Sequence, residues 1–192
     1  MFPEVHSVEY QTLPFDHFVA SVTNPDSCGA WLEWLEKDAP WELTVTDFYE
    51  QYEFSLLHVR LPPVVGLLAC RETLESLRSR MFHHFGILLS ERVDVTAHKL
   101  LTNQTIRIHN DYIPGAESHR LLLQLNREWH PQFGGLLMLF KGSSPETISK
   151  IVEPRHGSVQ AFAISPRSYH AVSTVHGGER FTVVYSFYPD NR

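Results

Sequence analysis

The chain has little of what marks several large classes of protein. Its 192 residues include two cysteines, Cys28 and Cys70, and no CxxC spacing, which argues against a disulfide framework or a structural zinc site. The formal net charge is -6 and no run of Lys and Arg stands out, so nucleic acid is not an expected partner. No stretch approaches the roughly 20 apolar residues of a membrane span, so no membrane partner is expected either.

The amino terminus is equally plain. Residues 1–7 have neither the basic region nor the apolar region of a secretory signal. We therefore expect a soluble, cytoplasmic protein in which both cysteines are small buried residues in a reducing compartment. With 43% hydrophobic and 20% charged residues, the length suits one domain over residues 1–192.

The two halves of the chain differ in hydrophobic pattern. In the first half, N-cap chemistry precedes a short helix at Ala30–Lys37, and apolar residues at helical spacing predict a longer helix over Gly66–Phe85. After Ile87, short alternating stretches between turn signals predict eight strands. These are Arg92–Leu101, Thr105–Asp111, Arg120–Asn126, Leu136–Lys141, Ile148–Val152, Ser158–Ile164, Tyr169–Val175 and Arg180–Tyr188.

Eight short strands at regular spacing are typical of a closed or sandwiched antiparallel architecture. The predicted fold is mainly β with α, with a jelly-roll core over residues 91–192. The first 90 residues would form a helical layer that supports one side of this core.

One pair of side chains in the second predicted strand indicates chemistry. His109 and Asp111 are separated by one residue, so strand alternation points both toward the same side. Two histidines and one carboxylate leave three metal positions open, which is typical of non-haem Fe(II) oxygenases, whereas the HExxH and Cys-rich spacings of zinc enzymes are missing. The pair alone is weak, because HxD arises by chance in a chain with 12 histidines.

The downstream strands supply the remaining candidates. His170 opens one strand and is the candidate third ligand, and ten residues later Arg180 opens an apolar strand. An unpaired charge in an apolar interior is costly, so a buried Arg180 implies either a neighbouring acidic residue or a carboxylate ligand. Thr182 shares its strand face and can add a hydroxyl. Four other histidines are less favoured alternatives to His170 as the second histidine ligand: His119, His130, His156 and His176.

Four ordered blocks carry a family resemblance: His109–Asp111, Arg120–Asn126, Gly134–Phe140 and His170–Thr182. Together they resemble the 2-oxoglutarate and Fe(II)-dependent dioxygenases, specifically the prolyl 4-hydroxylase-like branch. The resemblance implies a double-stranded β-helix whose catalytic residues His109, Asp111 and His170 hold Fe(II). It covers about residues 105–188, less than half of the chain.

The resemblance also implies a reaction. Fe(II) is the metal, and 2-oxoglutarate and O2 are the co-substrates. Arg180, helped by Thr182, binds the distal carboxylate of 2-oxoglutarate, with Gln124 as a further cofactor-binding residue of the pocket wall. The implied activity is hydroxylation of an unactivated C–H bond of an amino acid, peptide or small metabolite, with release of succinate and CO2.

Two departures from the family pattern leave the substrate open. Gln124 stands where the family commonly has Tyr, and the first 100 residues carry no matching motif, although that region usually supplies the substrate-covering loops. Asp111 excludes the halogenating branch, which replaces this carboxylate. Two rival functions remain: a metal-binding cupin-type isomerase or non-redox binding module, and an interaction domain without activity. The sequence leaves the oligomeric state unknown.

Overall fold

A computed structural model describes residues 2–190 of the chain. Within this range it contains twelve strands and three α-helices. The strands are β1 (Val5–Gln11), β2 (His17–Val22), β3 (Glu42–Val45), β4 (Glu50–Ser55), β5 (Leu89–Leu100), β6 (Ile106–His109), β7 (His119–Gln124), β8 (Leu137–Phe140), β9 (Ile148–Val152), β10 (Ser158–Ala163), β11 (His170–Val172) and β12 (Arg180–Pro189). The helices are α1 (Gly29–Lys37), α2 (Pro63–Gly66) and α3 (Arg71–Phe85).

The strands form two antiparallel sheets. The larger has the order β1-β2-β10-β7-β12-β5-β4-β3, and the smaller has the order β6-β11-β8-β9. Their facing sides share one hydrophobic core, because strand alternation gives each sheet an apolar inner face. This core joins Leu100, Leu122, Phe162 and Val184 of the larger sheet to Leu137, Leu139, Val152 and Val172 of the smaller.

A second core lies on the outer face of the larger sheet. Trp31, Leu32 and Leu35 of α1 and Leu77 and Met81 of α3 are buried there. They pack with outward-facing sheet residues, among them Val95, Ala97, Leu123, Val183 and Tyr185. The larger sheet is therefore covered on both faces, which explains why β12 is buried over most of its length.

The predicted strands of the second half all form, as β5 to β12. The short helix also forms, beginning at Gly29. The prediction of one long helix over Gly66–Phe85 is wrong at its start, because Cys70 is extended with ψ 156 and separates α2 from α3. No helix within residues 2–190 is long and apolar enough to cross a membrane.

The first 90 residues are not a helical layer alone, so that part of the prediction needs correction. They contribute β1 and β2 to one edge of the larger sheet and β3 and β4 to the other. Each pair extends the sheet by joining a strand far along the chain: β2 pairs with β10, and β4 pairs with β5. A local sequence pattern does not show which distant strand becomes the partner, so the place of these strands in the larger sheet was not predicted.

Candidate metal centre and active-site cavity

Two histidines meet across neighbouring strands of the smaller sheet. His109 ends β6 and His170 begins β11, and the antiparallel register places them directly opposite each other, so both side chains lie on the same face. Asp111 follows two residues after His109 with a φ of 56°, a left-handed conformation uncommon for residues other than glycine. The ligand atoms of these three residues all lie within 4.8 Å of one another.

Hydrogen bonds fix which imidazole nitrogen faces the cluster. Nδ1 of His109 lies 2.8 Å from the carbonyl oxygen of Arg107, and Nδ1 of His170 lies 2.8 Å from that of Ser168. A carbonyl only accepts, so each Nδ1 carries the proton and each Nε2 presents a lone pair. The two Nε2 atoms are 3.4 and 3.1 Å from Oδ2 of Asp111. Three electron-pair donors therefore converge, which suits a divalent cation such as Fe(II).

The carboxylate of the cluster is electrostatically balanced. Burial alone would raise the pKa of Asp111, but the positive charge of Arg120 opposes it, and the pKa lies well below its usual range. Burial lowers the pKa of His170, which keeps its Nε2 free of a proton. Both effects favour the protonation states that bind a metal.

Arg120 of β7 is the cation that balances this region. Its Nη1 contacts Oδ2 of Asp111, and its Nε and Nη2 donate to the two oxygens of Glu117 at 2.9 and 2.6 Å. Burial would lower the pKa of Arg120, but the two carboxylates raise it above its usual value. Arg120 was not among the predicted site residues. The sequence feature that could have identified it is an arginine early in an apolar strand, three residues after Glu117.

Arg180 of β12 is a second arginine of the cavity and has a different environment. Only 3% of it is exposed. Its Nε donates to the carbonyl of Gly135 and its Nη1 donates to Oγ1 of Thr182, both at 2.8 Å. No carboxylate within residues 2–190 lies within 4.0 Å of it. Burial lowers the pKa of Arg180 to about 10, so the guanidinium stays charged at neutral pH and is free to bind an anionic ligand.

A chain of hydrogen bonds runs from Arg180 into the sheet. Oγ1 of Thr182 donates to Oε1 of Gln124 at 2.9 Å, and Nε2 of Gln124 donates to Oε1 of Gln160 at 3.0 Å. Nε2 of Gln160 in turn donates to Oγ of Ser158. Because the single hydroxyl proton of Thr182 goes to Gln124, the hydroxyl accepts from Arg180. Gln124 thus lies behind Thr182 and orients it, rather than standing on the cavity wall as we expected.

The three metal-ligand candidates and the two polar residues of β12 open into one cavity of about 290 Å³. The predicted residues His109, Asp111, His170, Arg180 and Thr182 all line it. The apolar part of the wall consists of Ile106, Leu122, Leu137, Phe162, Val172 and Val184. Sequence reasoning missed a further polar part, formed by Gln51, Glu53, His98 and Arg120.

The fold and the site together define a class of protein: a two-sheet antiparallel jelly roll whose interior joins a His-Asp-His metal site to a buried arginine. A model of the 2OG-Fe(II) oxygenase superfamily matches residues 95–187, which include all of these residues. Over these residues, just under half of its length, the chain is similar to that superfamily. Fe(II), 2-oxoglutarate and O2 are the metal and co-substrates of that family.

Individual relatives agree with this assignment. The chain is 27% identical to a Xenopus laevis protein described as prolyl 3-hydroxylase OGFOD1; the match covers 68% of this chain but only 30% of that protein. Among solved structures, a Pseudomonas putida prolyl-4-hydroxylase matches with a TM-score of 0.70 and 16% identity over 86% of each chain. A Trichoplax adhaerens prolyl hydroxylase, solved with a peptide fragment of hypoxia inducible factor, matches with a TM-score of 0.69 and 14% identity. The match covers 85% of this chain and 77% of that chain. At such identities the structural likeness shows the fold alone.

Proposed function

We propose that this chain is a 2-oxoglutarate- and O2-dependent hydroxylase in which His109, Asp111 and His170 hold Fe(II). One observation carries the proposal. A single cavity contains three converging metal donors and, apart from them, a buried Arg180 that has no acidic partner within the described residues. The first site suits the iron and the second suits the distal carboxylate of 2-oxoglutarate.

Different residues of the chain bind the metal, bind the co-substrate and exclude water. Fe(II) with 2-oxoglutarate and O2 supplies the oxidising power for C–H hydroxylation, with release of succinate and CO2. His109, Asp111 and His170 would hold the metal with three donor atoms, and its remaining positions would be available to the co-substrates. Arg180 fixes the far end of the co-substrate, and Thr182 is turned by Gln124 so that it supports Arg180. The apolar side chains around them exclude water from the reacting atoms.

The substrate class is a finer inference. The relatives reported above are described as prolyl hydroxylases, and one of them was solved with a peptide. These descriptions support a prolyl residue of a peptide as the substrate, ahead of a free amino acid or another small metabolite. A cupin-type isomerase or a non-redox binding module has less support, because neither needs a buried arginine without an acidic partner.

Succinate formation tests the proposal. The Fe(II)-loaded protein is mixed with 2-oxoglutarate and proline-containing peptides, and succinate is measured together with a peptide mass increase of one oxygen atom. We expect both products from the wild type and neither from His109→Ala or Asp111→Ala. His6→Ala is the matched control, because His6 is exposed on β1. Wild-type turnover in His109→Ala would contradict the proposal.

A further inference from the structure

One wall of the cavity carries a negative charge that the chemistry above does not use. Glu53 of β4 lines the cavity, and its Oε2 accepts a hydrogen bond of 2.7 Å from Nε2 of Gln51. Nε2 of His98 lies 3.8 Å away. Burial lowers the pKa of His98 to about 3, so its ring is neutral and provides no countercharge at neutral pH. The carboxylate of Glu53 is therefore not neutralised.

A second carboxylate stands next to the first. Glu42 of β3 is directly opposite Glu53 in the antiparallel register, so the two side chains lie on the same face of the sheet. Like charges in this position repel each other and destabilise the pairing. Across residues 2–190, no Lys or Arg nitrogen comes within 4.0 Å of either carboxylate. This acidic pair leads from the cavity to the edge of the larger sheet.

The buried amide of Gln51 also lacks a partner, in this case a hydrogen-bond donor. Only 1% of Gln51 is exposed, and its Oε1 has no hydrogen-bond donor. Leaving a buried acceptor without a donor costs about 1–3 kcal/mol. The opposite amide orientation would place that oxygen against Glu53, which also only accepts. Glu53, Glu42 and Gln51 thus offer acceptors, and a ligand that suits them must bring N–H donors.

The nearby cations of the chain are engaged elsewhere. Lys99 neighbours His98 on β5 and therefore points to the other face of the sheet, where its Nζ is 5.1 Å from the rings of Trp41 and Tyr52. Arg120 is held by two carboxylates, and Arg180 contacts the Gly135 carbonyl and Thr182. The positive charge that complements Glu53 has to come from outside the chain.

We propose that Glu53, with Glu42 and Gln51, binds a positively charged Lys or Arg side chain of the peptide substrate, next to the residue that is hydroxylated. The inference rests on the proposed function and specifies its substrate class. Glu53 and the metal-ligand candidates line the same cavity of about 290 Å³, so the charge belongs to a residue close in sequence to the target. An ammonium or a guanidinium supplies the positive charge that Glu53 and Glu42 lack and an N–H donor for Oε1 of Gln51.

Peptide binding tests the assignment without turnover. Fluorescently labelled proline-centred peptides carrying Lys, norleucine or Glu at each flanking position are titrated into protein loaded with Mn(II) and 2-oxoglutarate, and anisotropy is measured. We expect the best Lys peptide to bind about 10-fold or more tightly than its norleucine counterpart, as a partly desolvated ion pair does. Glu53→Gln removes this preference, and Glu53→Lys transfers it to the Glu peptide.

Glu50→Gln is the matched control, because Glu50 lies on the same strand three residues away, faces the other side of the sheet and is exposed. It should keep the preference for Lys. Equal binding of all three peptides to the wild type would overturn the inference, and so would a preference that survives in Glu53→Gln. Displacement by free L-proline with no peptide preference would also overturn it, because the charge would then be an α-ammonium.

The outcome is separable from that of the proposed function. Succinate formation by the wild type without any preference for Lys peptides would reject this inference and leave the hydroxylase standing. A preference for Lys peptides without succinate under any condition would reject the hydroxylase and leave the cation site standing.

Discussion

Two arginines of the same cavity, Arg120 and Arg180, have opposite surroundings. Arg120 is held between Asp111 and Glu117, and these carboxylates raise its pKa. Arg180 contacts a carbonyl and a hydroxyl, and burial lowers its pKa. Arg120 is paired with two carboxylates, whereas Arg180 has no carboxylate partner within the described residues.

The difference distinguishes an arginine that stabilises the protein's own carboxylates from one that is available to bind a ligand. A buried ion needs a partner, since an isolated one is very costly. The protein supplies that partner for Arg120, so this residue holds the carboxylate of the metal site in position. It supplies none for Arg180, so the free energy of pairing is available to an incoming carboxylate.

The largest expected effect is a contrast in stability. Arg120→Gln leaves the partly buried carboxylates of Asp111 and Glu117 without their cation, so the free energy of unfolding of the metal-free protein should fall by about 2–3 kcal/mol, between the values for exposed and fully buried ion pairs. Arg180→Gln removes an unpaired charge, so the same quantity should stay unchanged or rise. Urea denaturation of both variants measures the contrast.

Exposed Arg92, which pairs with Asp94 at the surface, gives the control for this contrast. Arg92→Gln should change stability little, because exposed ion pairs contribute little. Adding Mn(II) should restore more stability to Arg120→Gln than to the wild type, since the metal replaces the missing cation. Equal losses in the Arg120 and Arg180 variants would remove the distinction between the two residues.

Displacing Arg180 without changing it should have the next largest effect. A Cβ at Gly135, which has a φ of +62°, would lie 2.9 Å from Cδ of Arg180 and 3.0 Å from the Trp129 ring. Gly135→Ala should therefore weaken 2-oxoglutarate binding about 10-fold, or about 1.4 kcal/mol. Tryptophan fluorescence in the presence of Mn(II) follows the titration. Gly142→Ala is the control, because its nearest neighbour would be an ordinary 3.8 Å contact.

The smallest effect should come from the hydrogen bonds behind Arg180. Gln160→Leu leaves Nε2 of Gln124 without its acceptor, which frees the amide to turn away from Thr182. The affinity for 2-oxoglutarate should fall about 5-fold, the size of one net hydrogen bond of about 1 kcal/mol. Gln11→Leu on exposed β1 should have no effect. An unchanged affinity in Gln160→Leu would show that Thr182 holds its orientation alone.

How much could be predicted from sequence depends on whether a signal is local. The strands β5 to β12 are short stretches rich in apolar residues between turn residues, and His109 and Asp111 lie within three residues of sequence, so both were predictable. The strands β3 and β4 join the sheet through β5, about 40 residues away, and their pairing is invisible locally.

The polar residues of the cavity follow the same rule. Arg180 was identified because a charge opens an otherwise apolar strand. The partners of Arg120, the Gln124–Gln160 hydrogen bond and the pairing of Glu42 with Glu53 each depend on which strands become neighbours. Gln124 was predicted as part of the pocket wall from the family resemblance, which gives its position on the strand but not which side chain stands in front of it.

Binding of 2-oxoglutarate to Arg180 variants tests the central claim most directly. The Mn(II)-loaded wild type, Arg180→Gln and Arg180→Lys are titrated with 2-oxoglutarate in a calorimeter, and Mn(II) affinity is measured for each. We expect Arg180→Gln to lose about 100-fold or more in 2-oxoglutarate affinity, Arg180→Lys to lose less, and all three to bind Mn(II) equally. Wild-type affinity for 2-oxoglutarate in Arg180→Gln would show that the buried arginine does not bind the co-substrate and would contradict the account.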